Sequence, residues 1–341
     1  MSKGVLLVNL GSPDSTKVSD VRRYLDEFLM DSRVIDLPYL LRVLIVRGII
    51  LRVRPKKSAK AYKKIWWEEG SPLIVITERL VAKLQKQVSV PVQIAMRYGN
   101  PSIEFGLQQL REKGVTEVLL LPMYPQYAMA TTETVEVLTE KLIKTKFKEM
   151  TLTKFPAFYN RSEYVDALAK VTKTHLNGYN FDHLLFSYHG VPERHLWKTV
   201  KTDNHKKITE GKYCCDPKSD EAERCYRTHC FETTRQLVER LQLTRSQYSQ
   251  AFQSRLGIDK WLEPFTSDRV VELARSGVRK LAVITPAFVA DCIETLEEIE
   301  MEAGKEFLEN GGEEFKMIPC LNDDDAWVYA IATWIHRWEK R

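Results

Sequence analysis

His189 stands where a sequence can place chemistry. It closes the apolar run His183-Leu184-Leu185-Phe186-Ser187-Tyr188 and is followed by Gly190. Strand ends of open α/β sheets face the ligand crevice. An imidazole there can take a proton or ligate a borderline metal. A hydrogen-bonded turn histidine is the plainer alternative. The other six histidines lie in polar or helical contexts and read as surface or packing residues. Further on, Asp291, Glu294, Glu298 and Glu302 recur at helical spacing. At about 100° per residue they share one narrow sector. Such a row repels itself unless a cation or a base neutralises it. The attraction of acids to helix N-termini accounts for Asp291 and Glu294, but poorly for Glu298 and Glu302. The row points to proton or cation handling.

A second group is made of thiols. Cys214, Cys215, Cys225 and Cys230 place four of the six cysteines within 17 residues. Thiolates ligate iron–sulfur clusters four at a time. Zinc, a disulfide and free thiols are the competing readings. Aromatics and an arginine also gather at strand ends, in Arg97-Tyr98-Gly99-Asn100-Pro101 and Pro122-Met123-Tyr124-Pro125-Gln126-Tyr127. They suit a flat apolar ligand bearing carboxylates. The chain shows neither a GxGxxG fingerprint nor a P-loop, so nucleotide binding is not expected.

The elements that must position these residues are short apolar runs at 5–10, 92–98, 116–123, 183–189, 249–254, 279–285 and 315–319. Continuous apolar runs suit strands buried on both faces. Helical patterns lie between them, at 102–113, 161–176 and 267–276. Alternation of this kind predicts parallel sheets in an α/β fold. The chain also repeats itself. Pro125-x-Tyr127 precedes Glu133-Thr134-Val135 as Pro286-x-Phe288 precedes Glu294-Thr295-Leu296. Asn9-Leu10-Gly11-Ser12-Pro13 corresponds to Tyr188-His189-Gly190-Val191-Pro192. The repeat predicts two similar doubly wound halves, with a ligand cleft between them at the strand C-termini. The boundary is expected near 150–160, giving an N-terminal half over 1–155 and a C-terminal half over 156–341.

A length of 341 residues suits about two domains. The net charge of +5 is too thin for a dedicated nucleic-acid binder. No targeting segment is visible, so a cytoplasmic protein with reduced thiols is expected. Leu37 to Val53 is almost wholly apolar, but Arg42, Arg47 and Arg52 interrupt it. Each would cost about 2.5–3.5 kcal/mol at a bilayer centre, which excludes a membrane span. Either this is a buried helix with snorkelling arginines, or residues 37–57 form an apolar, basic lip. Such a lip would touch a membrane peripherally or admit a greasy anionic ligand.

Several motifs together resemble the ferrochelatases. They are Leu7-Val8-Asn9-Leu10-Gly11-Ser12-Pro13, Gly70-Ser71-Pro72-Leu73, Met96-Arg97-Tyr98-Gly99, Tyr124-Pro125-Gln126-Tyr127, Phe186-Ser187-Tyr188-His189-Gly190-Val191-Pro192, Phe252-Gln253-Ser254-Arg255 with Trp261-Leu262, and Asp291-Cys292-Ile293-Glu294-Thr295-Leu296. The resemblance implies two Rossmann-like halves with a porphyrin between them, and a lyase of haem synthesis that inserts Fe²⁺. It implies His189 and Glu294 as the catalytic and metal-binding pair, with Glu298 continuing the acidic row. Leu10, Tyr62, Arg97, Tyr98, Tyr127 and Trp261 match porphyrin-binding positions. Leu10 departs from the Tyr common in coproporphyrin-using members, which favours protoporphyrin IX. Met129 stands where animal members carry a cluster cysteine. Cys214, Cys215, Cys225 and Cys230 resemble instead the internal cysteine group of some bacterial members, implying a [2Fe-2S] cluster. A coproporphyrin III ferrochelatase, a related metal chelatase and a two-lobed haem or metal carrier are the rival readings.

Overall fold

The computed structural model describes residues 2–203, 205, 213–255 and 259–341. Strands β1 (Lys3–Ser12), β2 (Val92–Gly99), β3 (Glu117–Pro122) and β4 (Thr151–Lys154) form one sheet, in the order β2-β1-β3-β4. Strands β5 (His183–His189), β6 (Tyr248–Gln253), β7 (Lys280–Ile284) and β8 (Glu314–Met317) form another, in the order β6-β5-β7-β8. All pairings are parallel. Both sheets therefore share one topology, as the duplication in the sequence requires. The fold is α/β, with two four-stranded parallel sheets and connecting helices.

The central strands explain their own composition. Val5, Leu6, Leu7 and Val8 of β1 are wholly buried, as are Leu184, Leu185 and Phe186 of β5. A parallel strand covered on both faces has no polar side to present. The expected helical patterns appear as Ile103–Glu112, Ser162–Leu176 and Thr266–Arg275. The strand missed in the sequence is β4. It sits at a sheet edge, reads Thr-Leu-Thr-Lys and is only partly buried, so it needs no apolar run.

Two compact units result. The first comprises Met1–Met123, Met129–Pro156 and Ile331–Arg341; the second comprises Tyr124–Ala128 and Ala157–Ala330. The C-terminal helix Asp325–Glu339 contributes to both in turn. In the second unit Trp327 packs on Phe158 and Tyr164. In the first, Trp334 stacks on Phe155 at 4.8 Å. There Lys3 Nζ also donates to the carbonyls of Trp338 and Glu339.

The apolar segment resolves into a helix Tyr39–Ile45, a π-helical turn Val46–Ile50 and a helix Leu51–Ile65. Leu40 is 81% exposed and Leu44 63% exposed, with Ile49 and Val53 also outward. Arg42 does the opposite. It is buried and donates to the carbonyls of Ile35 and Leu37. With these apolar side chains outward the segment is not a buried helix, although Arg47 and Arg52 are exposed. Among the described residues no helix is long and apolar enough to cross a membrane.

Gly11, near the end of β1, has φ +113°, and an added Cβ would lie 1.8 Å from the Tyr98 carbonyl oxygen. Gly114 also has positive φ, +76°, but open space around it. Gly11→Ala should therefore lose more than about 4 kcal/mol in urea denaturation. Gly114→Ala should lose only about 1–2 kcal/mol, the left-handed backbone cost alone. Equal losses would show that the close approach at Gly11 relaxes freely.

Candidate active site

Strand β5 delivers His189 to its C-terminal end, where the chain must pass the end of β6. Gly190 makes the passage possible. Its N–H donates to the Gln253 carbonyl at 2.6 Å. A Cβ at Gly190 would stand 3.0 Å from the carbonyl oxygens of Gln253 and Ser254 and 3.2 Å from the Trp261 ring. His189 Nδ1 lies 2.6 Å from the Gly190 carbonyl oxygen. A carbonyl only accepts, so Nδ1 carries the proton. In the neutral ring this leaves the Nε2 lone pair for a proton or a metal. Phe288 meets the ring edge-on at 6.2 Å.

The acids lie on a wider helix than expected. Glu294–Ala303 is π-helical, with turns longer than the usual 3.6 residues or so. Residues four apart, Glu294, Glu298 and Glu302, consequently stack more closely in line. Gln253 fixes the start of this helix. Its side chain accepts from Ser187 Oγ and donates to the Glu294 carbonyl, both at 2.8 Å. Ser254 fixes the next turn. Its N–H donates to Glu298 Oε1 at 2.7 Å and its hydroxyl donates to Oε2. Ser254 adopts φ +59° to do so, a left-handed conformation costing a non-glycine residue about 1–2 kcal/mol.

Burial raises the Glu298 carboxyl above the ordinary glutamate range. The Ser254 hydrogen bonds, and the charge of His189 once its ring is protonated, oppose that rise, while Glu294 adds to it. Neither Glu294 nor Glu298 forms an ion pair with a lysine or arginine among the described residues. Glu302 is exposed. Asp291 leaves the row. It precedes the π-helix, is buried, and accepts from Thr295 Oγ1, Cys320 N–H and Asn322 Nδ2. It is a structural carboxylate that caps this turn.

The thiol group also differs from expectation. Cys214, Cys215, Cys225 and His205 are buried, and their donor atoms all lie within 4.8 Å of one another. Cys214 Sγ is 3.2 Å from Cys225 Sγ, and Cys215 Sγ is 3.2 Å from His205 Nε2. Hydrogen bonds from Cys215 and then Cys225 draw Cys214 toward the thiolate. Cys230 stands apart, wholly buried in the helix Tyr226–Leu241, where burial pushes its thiol up. Its place is taken by His205, which nothing in its polar surroundings marks. Three thiols and an imidazole form a donor set suited to a thiophilic metal centre.

The family model for ferrochelatase matches residues 2–338. The chain belongs to the ferrochelatase family. It is 48% identical over 335 residues to the ferrochelatase of Pseudomonas fluorescens (strain Pf0-1), covering 98% of this chain and 97% of that one. It is 49% identical over 329 residues to the ferrochelatase of Ectopseudomonas mendocina (strain ymp), covering 96% and 95%. Among solved structures, SirB from Bacillus subtilis with Fe³⁺ matches at a TM-score of 0.55 and 11% identity, covering 99% of this chain and 95% of that one. The sirohydrochlorin chelatase SirB from Bacillus subtilis subspecies spizizenii in complex with cobalt matches at 0.53, also at 11% identity and with the same coverage. At that identity the likeness establishes the fold.

The positions that the ferrochelatase resemblance gives to the porphyrin are placed unequally. Leu10 and Trp261 are half-buried, near the end of β1 and beside Gly190 respectively. Tyr62 and Tyr127 are buried, Tyr62 edge-on to Trp66 and Tyr127 donating its N–H to His229 Nδ1. Tyr98 is 0% exposed, and its hydroxyl donates to Asp31. Arg97 pairs with the same Asp31 and donates to Thr134 Oγ1 at 2.7 Å. Its guanidinium is thus committed within the protein rather than held out for a ligand carboxylate. Burial alone would raise Asp31, but hydrogen bonds from Thr134, Arg33 N–H and Tyr98, with the charge of Arg97, hold it down.

Glu298 sets a pH dependence. With its folded value above its unfolded one, the folded state binds more protons between the two. Stability from this group is therefore present below the ordinary glutamate value and is lost as pH rises through the raised one. In urea denaturation between about pH 4 and 7, wild type should lose stability relative to Glu298→Gln as pH rises. A difference that stays constant across that range would mean that Glu298 titrates as an exposed glutamate.

Proposed function

We propose that this chain inserts ferrous iron into protoporphyrin IX to form protohaem. The reading rests on one observation: the lone pair of His189 Nε2 stands at a strand end, and the two nearby carboxyl groups, Glu294 and Glu298, have no lysine or arginine partner among the described residues. Free porphyrin carries two inner N–H protons that must leave as Fe²⁺ enters. His189 Nε2 takes a proton or holds the iron in turn, and Glu294 shares that task. Glu298 keeps its proton more firmly than an exposed carboxyl, so it relays one outward as it receives another. Glu302 ends the row at solvent. Leu10 and Trp261 are the proposed porphyrin contacts. Tyr62, Tyr98 and Tyr127 are buried and Arg97 is paired with Asp31, so these four are proposed to shape their own units rather than to touch the ligand.

His205, Cys214, Cys215 and Cys225 are proposed to hold a resident metal centre. A [2Fe-2S] cluster fits a thiolate-rich set, and iron in such clusters also accepts imidazole ligands. Held there, it would cross-link this segment, while the proton steps are assigned to His189, Glu294 and Glu298.

The exposed face of Leu40, Leu44, Ile49 and Val53 is proposed to rest on an anionic lipid surface. Arg52, Lys56, Lys57 and Lys60 line a shallow groove with Val53, which supplies the matching charge. A lipophilic substrate could then be delivered from that surface.

In an anaerobic assay the protein should turn over with Fe²⁺ and protoporphyrin, and more slowly with coproporphyrin. His189→Ala should lose about 10²–10⁴-fold in kcat while still binding porphyrin. Consumption that stops at one equivalent would identify a carrier, and near-normal turnover by His189→Ala would remove the histidine from the mechanism. For the lipid face, Leu40→Ser with Leu44→Ser should weaken binding to anionic vesicles by about tenfold or more, since each leucine contributes about 1.5–3 kcal/mol when fully buried. The thermal midpoint should not change. Unaltered vesicle binding would show that this face does not meet lipid.

A further inference from the structure

We infer that Tyr226 is a positioning residue for His189, and that the Cys/His group governs it. The inference rests on the proposed role of His189 but adds a control on that site. The peptide unit joining His189 to Gly190 is bonded at both polar ends. Its N–H donates to the Gln253 carbonyl at 2.6 Å. Its C=O, that of His189, accepts from the Tyr226 hydroxyl at 2.6 Å. The Gly190 carbonyl lies in the next peptide unit, one residue's φ and ψ away from this plane, and it holds the His189 ring through Nδ1. Removing the Tyr226 hydroxyl leaves a carbonyl without its partner and frees one end of the plane.

Tyr226 directly follows Cys225 and opens the helix Tyr226–Leu241. The thiol of Cys225 belongs to the Cys/His group, 3.2 Å from Cys214 Sγ and 3.5 Å from His205 Nε2. The same first turn grips the other thiols. Thr228 Oγ1 accepts from Cys215 N–H at 3.3 Å, lies 3.2 Å from the Cys215 carbonyl and 3.7 Å from Cys214 Sγ. One helical turn thus touches the metal-binding group through Cys225 and Thr228, and the His189 peptide through Tyr226. A metal that draws three thiolates and an imidazole together fixes that turn. Without it nothing joins the four side chains to one another, and the turn is held less firmly.

Tyr226→Phe should lower kcat about tenfold with KM for porphyrin unchanged. Its metal and acid-labile sulfide content should equal wild type. Cys225→Ser should lose the metal and show the same loss in kcat, and adding Tyr226→Phe to it should cost nothing further. A chelator-stripped wild type gives the same comparison if Cys225→Ser does not fold. The His189 imidazole resonances in isotopically labelled protein provide a readout independent of turnover. They should move in both single variants, and in the stripped protein, in the same direction. Unmoved resonances in Tyr226→Phe, or losses that multiply in the double variant, would overturn the inference. Inactivity of the wild type with unchanged coupling in the resonances would instead reject the proposed reaction and leave the coupling standing.

Discussion

The end of β6 holds the candidate site together. Gln253 and Ser254 are two consecutive residues with five hydrogen bonds to three elements. The Gln253 carbonyl receives the turn after β5, its side chain ties β5 to the start of the π-helix, and Ser254 grips Glu298. A parallel sheet brings strand ends together but leaves the loops beyond them free to vary. Here the fixing is done by polar groups buried deeply enough that each must be paired. The strained backbone at Ser254 is sustained by that pairing, and the histidine and the carboxyls share one rigid frame as a result.

The duplication shows how the two units differ at equivalent positions. Leu10 occupies the position in β1 that His189 occupies in β5. Each unit also places a π-helical stretch near the repeated Glu-Thr pair, Met129–Glu133 in one and Glu294–Ala303 in the other. In the first unit Glu133 is neutralised by Arg33 at 3.0 Å. In the second, Glu294 lacks such a partner among the described residues. One framework occurs twice, with its acid ion-paired in one copy and without a lysine or arginine partner among the described residues in the other.

Much of this architecture is legible in the sequence. Apolar runs covered on both faces announce themselves, so seven strands and the repeat are readable. β4 is not, because an edge strand of four residues has no burial to encode. The placement of His189 at the end of β5 and of Glu294 at the start of a helix is readable because strand ends and repeated motifs locate them. The π-helix is not, since widening a turn changes hydrogen bonding without changing which residue types are apolar. Asp291 fits an α-helical wheel that the chain does not follow at that point. His205 is separated from the thiols in sequence, and only folding reveals that it replaces Cys230. Arg97 looks available for a ligand because its partner, Asp31, is remote in the chain.

The return of the C-terminal helix to the first unit has a consequence for biogenesis. Domains emerging from a ribosome tend to fold in the order in which they are made. The first unit cannot do so completely. Trp334 is needed beside Phe155, and the carbonyls that receive Lys3 belong to Trp338 and Glu339. Strand β1 therefore waits for residues 335 positions further along the chain before its surroundings close. Until then Phe155 lacks its stacking partner, so closure of the first unit is delayed until the helix Asp325–Glu339 has been made.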